Sequence, residues 1–432
     1  MIADQREKHE MRLWNGMQLL IVGDYTEVRV ACELQILGAG GYYDQASEAG
    51  LAEFASRLLR AGTSRRSASE IEKNLMRWGS KLRVDTASGS TAVSLHLSCE
   101  PANLPEVLEF LYEVVTMPRF PSQDVKALQD EVAAHLREVE GTPSLLANSI
   151  LVNRLYEPHP GSKPIQRASN VDRFTSERLA AFVRERYVPD HAVLAIMGNI
   201  SAERATSLAS GAFVAWSPAG RKLSSVPPAV PGRAGLVCVQ VDGEGLAVQI
   251  GTTTPNRGNS DYELVEVIHT ILGTYRIPGR LWALRECHGE VFSEIPYGLL
   301  LSQAFGGSWM TPPIVTSNEI TLALDSVLGE LRKMRTQLTP DAELEGAKAA
   351  LASVDVLDWK DPLRARMLGH LGVRMFDLAR DYWDKRAERI AAITAEQVRA
   401  IAQKYFDPGR LHVVVAGSAK RLSRELDGWE IS

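Results

Sequence analysis

Apolar residues recur at every second position in several early stretches of the chain. In EVRVACELQIL (27–37), Val28, Val30, Cys32, Leu34 and Ile36 share one face, and TAVSLHLSCE (91–100) repeats the alternation with Val93, Leu95, Leu97 and Cys99. Period two is the pattern of a strand with one buried face. RLWNGMQLLIV (12–22) sets Asn15-Gly16 between two apolar runs, which predicts a hairpin. Helical stretches are predicted over 66–78, 103–117, 122–140, 144–156 and 175–187, and the apolar run AVLAIMG follows as a strand.

The pattern breaks at WSPAGRKLSSVPPAVPGRAG (216–235), with four prolines, three glycines and no apolar period. Such a stretch predicts an extended, semi-rigid spacer. Strand-like runs resume in LVCVQVD and LAVQIGT, and long helical stretches close the chain. The end of the second half repeats the end of the first. TSERLAAFVRERYVPDHAVLAIMG (175–198) and TAEQVRAIAQKYFDPGRLHVVVAG (394–417) align at an offset of 219, matching Thr175 to Thr394, Glu177 to Glu396, Pro189 to Pro408 and Gly198 to Gly417. The unit is a Thr-capped helix, an Asp/Pro turn and a strand ending at Gly. A repeat of half the chain predicts two similar domains, 1–216 and 235–432, joined by a linker at 217–234.

Bulk composition narrows the classes. The 432 residues are 45% hydrophobic and 23% charged, with a formal net charge of −5. These are globular values, and no basic run predicts a nucleic-acid surface. The charged start, MIADQREKHEMRLWNG, has no signal-peptide core, and no apolar run has membrane-spanning length. The expectation is a cytoplasmic protein, or a periplasmic one if a leader was removed. The four cysteines form no C-x-x-C, and Cys32 and Cys99 are expected as buried free thiols.

DQASEAGLAEFASRLLRAGTSRRSASEIEKNLMRWGSKL (44–82) resembles the start of the pitrilysin/insulinase family of zinc peptidases, in its processing-peptidase-like branch. MPRF, EPHPGSKP, RYVPDHAVLAIMGN, ILGTYRIPGRLWALRECHG and LTPDAELEGAKAAL follow in family order, so the resemblance covers nearly the whole chain. It implies an α+β fold of two homologous domains, each a mostly antiparallel sheet with helices packed on one face. Two such chains, or two halves of a longer one, close round a chamber that admits peptides.

Active relatives carry H-x-x-E-H on the helix after GLA. Residues i and i+4 share a helical face, so two His can hold one zinc while the intervening Glu takes a proton from the bound water. Here the matching positions hold Glu53, Ser56 and Arg57. Ser56 is no such base, and Arg57 cannot ligate a cation. The third-ligand position falls near Ala133 or Ala134, with Glu131 the nearest carboxylate. None of the nine histidines lies three or four residues from another, so no helical His pair exists. Glu53 and Arg57 stand in the favourable i, i+4 order for an ion pair that would take the metal's place; both could equally be solvated.

Active relatives also place an Arg and a Tyr of the second half at the substrate backbone and the oxyanion. GRLWALRECHGEVFS matches Arg285 to that Arg and puts Phe292 at the Tyr position, without the hydroxyl donor. Arg280 is expected to be structural, and Arg285 either clamps peptide or pairs with a nearby Glu. No catalytic residue, metal or cofactor is expected in this chain. The expected role is a non-catalytic subunit of a heterodimer that binds peptide for a homologous sister chain carrying the zinc. Two readings compete with it: a structural or scaffold subunit without peptide binding, and a stand-alone metallopeptidase.

Overall fold

The structure is a computed structural model and describes residues 7–86, 90–162, 168–242, 245–316, 319–357, 362–429 and 431. The first six residues and Lys163-Pro164, the end of EPHPGSKP, lie outside the described residues. The chain forms two compact units. One comprises 1–134, 166–225 and 361–371; the other comprises 135–165, 226–360 and 372–432.

The sheet of the first unit contains β1 (Glu7–Arg12), β2 (Gln18–Gly23), β3 (Val30–Leu37), β4 (Arg83–Asp85), β5 (Ala92–Cys99) and β6 (Ala192–Gly198), in the order β1-β2-β6-β3-β5-β4. Only β2–β6 is parallel. The β1–β2 hairpin turns at Asn15-Gly16, where Gly16 has φ +86° and only glycine is unstrained. Val28 falls short of β3 and is 78% exposed, so the alternating strand begins one step later than its sequence pattern. From Val30 on, Cys32, Leu34 and Ile36 are buried with Val93, Leu95, Leu97 and Cys99 of the facing strand. Both thiols are free. The helices of the first half are α1 (Leu51–Arg57), α2 (Ala68–Arg77), α3 (Leu104–Thr116), α4 (Ser122–Gly141), α5 (Pro143–Tyr156), α6 (Ser176–Arg186) and α7 (Ala202–Ala212).

The sheet of the second unit contains β7 (Gly235–Gln240), β8 (Leu246–Thr254), β9 (Leu299–Gln303), β10 (Gly306–Met310), β11 (Ile314–Thr316) and β12 (His412–Gly417). Its order is β7-β12-β8-β10-β9, with β11 also on β8 and only β7–β12 parallel. The helices of the second half of the chain are α8 (Tyr262–Leu272), α9 (Arg280–His288), α10 (Ile320–Thr336), α11 (Asp341–Leu357), α12 (Pro362–Met375), α13 (Arg386–Ala391), α14 (Ala395–Tyr405) and α15 (Ala419–Glu425). Val413, Val415, Leu246, Val248 and Ile250 form one core with the apolar faces of α8, α10 and α14. Each unit is thus an α+β domain built on a mostly antiparallel sheet.

The repeat seen in the sequence is a structural repeat. Thr175 Oγ1 accepts from the Arg178 N–H, and Thr394 Oγ1 from that of Gln397, each at 3.3 Å. Pro189–His191 and Pro408–Arg410 each make one 3-10 turn before β6 and β12.

Helices pack on one face of each sheet as expected, and the other face is covered as well. In the second unit α5 packs on β8 and β12, and Gln249 donates to Asn148 Oδ1 at 3.0 Å. In the first unit the opposite sheet face is apolar at Leu20, Val22, Ala31, Val193, Ala195 and Met197. It is covered by Leu363, Met367 and Leu371 of α12. Arg364 pairs with Glu33 at 3.5 Å and with Asp85, while Arg366 pairs with Asp24 at 2.9 Å and with Glu27. The spatial units are therefore not the two sequence halves, since each borrows a helix from the other half. A sheet with two apolar faces needs cover on both.

The Pro/Gly-rich stretch is not a free spacer. His191 Nε2 lies 2.7 Å from the Arg221 carbonyl within the first unit. In the second, the N–H groups of Ala229 and Gly232 donate to the carbonyls of Phe305 and Leu155 at 2.7 and 3.0 Å.

Candidate functional site

Helix α1 follows Gly50, whose φ of +94° requires glycine at that corner. Asp44 fixes its start from six residues upstream. The buried carboxylate accepts from the Gly50 N–H at 3.0 Å and the Ala52 N–H at 3.3 Å. Such an acceptor neutralises the exposed donors of a first helical turn. Arg178 on α6 holds Glu48 through two hydrogen bonds of 2.6 and 2.7 Å, which keep that carboxyl below its usual range. Phe54 packs on Phe174, ring centroids 5.2 Å apart.

With its entry fixed and Leu51, Ala52, Phe54 and Ala55 buried, α1 turns Glu53 and Arg57 outward. Ser56 is only 3% exposed, and its hydroxyl donates to the Glu53 carbonyl at 2.7 Å. That bond closes on the helix's own backbone, so Ser56 presents nothing to a substrate.

The ion pair expected between Glu53 and Arg57 is not the one formed. Arg57 Nη2 donates instead to Glu131 Oε1 of α4 at 2.5 Å. An i, i+4 pair contributes only about 0.2–0.5 kcal/mol on a helix surface, so little holds Arg57 to Glu53 once a carboxylate of another helix is within reach. Arg57 keeps 40% of its side-chain exposure and Glu131 65%. The carboxylate that α4 brings to α1 is thus Glu131, rather than a group at 133 or 134.

These residues do not fit a zinc ion. A guanidinium stands at the second ligand position, the base position is a serine bonded to its own helix, and the carboxylate that α4 brings is already bonded to that guanidinium. Among the described residues no group of three or more His, Cys, Asp or Glu is placed to hold a metal. Beyond α1, a groove of about 590 Å³ is lined by Arg60, Glu72, Met76, Lys81, Arg83 and neighbouring residues of α2 and β4.

In the second unit, Arg285 lies exposed on α9, and its Nη1 donates to the Ser293 carbonyl at 2.7 Å. One nitrogen is thereby committed to holding the chain after the helix, while the rest of the fork faces solvent. Arg280 makes a two-point bond to Glu343 at 2.8 and 2.6 Å, joining α9 to α11, the structural role its position implied. Phe292 requires a correction. It is 1% exposed and belongs to the core with Leu281, Leu284 and Trp309, so its ring does not reach a substrate. A phenyl without a polar tip gains most when fully buried, and the backbone here turns it inward. Cys287 is exposed and free.

Sequence reasoning missed Asp44, Glu48 and Arg178. Six residues separate Asp44 from Gly50, beyond the spacing that marks a helix cap, and 130 residues separate Glu48 from Arg178.

Comparison with known proteins bears on the whole chain. The family model described as Insulinase (Peptidase family M16) matches residues 19–169, and the one described as Peptidase M16 inactive domain matches residues 173–351. An uncharacterized zinc protease of Mycobacterium leprae is 25% identical over 400 residues, covering 90% of this chain and 88% of that protein. One of Mycobacterium tuberculosis is 28% identical over 263 residues, and the matched part spans 60% of this chain and 59% of the relative's length. Among solved structures, a peptidase M16 inactive domain from Pseudomonas fluorescens superposes with a TM-score of 0.84 at 20% identity, over 96% of this chain and 98% of the other. A protease from Helicobacter pylori gives the same TM-score at 16% identity, over 95% and 99%. No described helix is long and apolar enough to cross a membrane. The chain belongs to the insulinase/pitrilysin family of zinc peptidases, as a member whose motif positions hold Glu53, Ser56 and Arg57 in place of H-x-x-E-H.

Proposed function

We propose that the chain is the non-catalytic subunit of a heterodimeric peptidase of this family. A homologous sister subunit carries H-x-x-E-H and the zinc; this chain completes the chamber and binds peptide. The observation that carries the reading is the Arg57–Glu131 bond on an otherwise intact motif helix: the frame is kept and the chemistry is replaced. The charged and apolar groove beside α1 and the solvent-facing guanidinium of Arg285 supply groups able to hold a peptide backbone.

The burial of Phe292 favours one competing reading, a structural subunit without peptide contacts, because it removes one of two expected substrate-facing groups. Co-purification with an H-x-x-E-H homologue from the same organism, followed by zinc content and peptidase activity, tests the main reading. Zinc is expected only in the sister chain, and activity only in, or much raised by, the pair. A stable homodimer that alters no peptidase activity overturns it. Arg285→Ala is expected to lower the activity of the pair on peptides while leaving assembly intact. Unchanged activity with intact assembly removes Arg285 from the site and favours the structural reading.

A further inference from the structure

The residues at the motif positions disagree with a metal in a specific way. Arg57 leaves α1 on the face that carries Glu53 one turn earlier, and crosses to α4, where Glu131 accepts its hydrogen bond at 2.5 Å across 74 residues of sequence. A cation thus lies between two helices, with one carboxylate bound to it and a second a turn away on the same face. We propose that the Arg57 guanidinium stands where a metal ion would, and that Glu131 is the surviving carboxylate of that site.

Reach and charge both support this assignment. An imidazole at position 57 followed by a zinc–nitrogen bond of about 2.0 Å spans roughly the length of an arginine side chain. A zinc–carboxylate bond of about 2.0–2.2 Å would then meet α4 where Glu131 now meets the guanidinium. The positive charge between α1 and α4 is retained, and so is the link between them. The rest of the α1 frame depends on neither residue, because Asp44, Glu48–Arg178 and Phe54–Phe174 fix the helix independently. Ser56, closed on its own backbone, plays no part. A pair this exposed adds little to stability, so an unfolding experiment on the native pair would not separate a metal surrogate from an ordinary surface bridge. Metal binding by altered chains does separate them. Arg57 and Glu131 both belong to this chain, so their roles do not depend on a sister subunit.

The test uses the full chain carrying Glu53→His and Arg57→His, with zinc measured by equilibrium dialysis and metal analysis, and cobalt(II) as a spectroscopic probe. The expected result is one zinc per chain, a higher Tm with zinc than without, and the visible absorption of four-coordinate cobalt. The native chain is expected to take up no stoichiometric zinc. Adding Glu131→Gln is expected to weaken zinc binding at least tenfold. Two histidines one turn apart can hold zinc weakly unaided, so this last arm is decisive. Zinc binding indifferent to Glu131→Gln, or a folded double variant without zinc, overturns the proposal. Should the double variant fail to fold, Arg57→His alone reads the same question: weaker zinc binding is expected, again lost with Glu131→Gln, and its persistence overturns the assignment.

Discussion

Phe292 and His412 show how a residue's surroundings decide its role. Phe292 sits at a position that active relatives give to a hydroxylated ring, yet it fills the core of the second unit. Phe292→Ala is expected to cost about 3–5 kcal/mol through lost burial and a residual cavity, measured by denaturant unfolding. Phe292→Tyr is expected to add nothing to the peptidase activity of the pair, because its hydroxyl would be buried. His412 begins β12, is 1% exposed, and has no hydrogen-bond partner on either ring nitrogen. Burial, with Arg154 and Arg410 nearby, pushes its pKa down to about 4 from an ordinary 6.5. The unfolded chain therefore takes up a proton below pH 6.5 that the folded chain refuses until about pH 4. Stability is full above pH 6.5 and is lost as pH falls through that window, by up to about 3 kcal/mol. The repeat supplies the natural substitute, since the position 219 residues earlier is Val193, buried on the corresponding strand. His412→Val is expected to flatten the fall in Tm between pH 7 and 4.5, checked by calorimetry. His269, whose pKa burial lowers to about 4, leaves part of the slope in place.

At the scale of elements, the alternating strands, the N-G hairpin and the Thr-capped helices were legible in the sequence because each follows from a local period or a local backbone need. What covers the second face of each sheet was not. The run of α12 carries no mark of its destination, since an apolar stripe at helical spacing fits any apolar face. Its partners, Leu20, Val22 and Met197, lie far earlier in the chain, in the first half. Met367→Ala is expected to destabilise the first unit by about 2–5 kcal/mol. Hydrogen exchange in β2 and β6 should rise, although the substitution lies in the second half of the chain. Unchanged protection there would mean that α12 does not hold that sheet.

At the scale of the whole molecule, the duplicated ending predicted two similar domains, and the helix–turn–strand order matches between them. The sequence halves are nevertheless not the compact units, because 135–165 and 361–371 each pack with the other half's sheet. The proposed pairing with a zinc-bearing sister belongs to this scale, and co-purification with metal analysis decides it.

The absence of an H-x-x-E-H pair was settled by the sequence alone, since no folding supplies a side chain that is not encoded. The same holds for the repeat and the family. Only the tertiary structure decided that Arg57 joins Glu131 and leaves Glu53 to solvent, that Phe292 is core, and that Asp44 starts the motif helix. Each of these depends on groups distant along the chain meeting within a few ångströms. Hydrogen bonds and ion pairs fall off over that distance, and local sequence patterns do not record it.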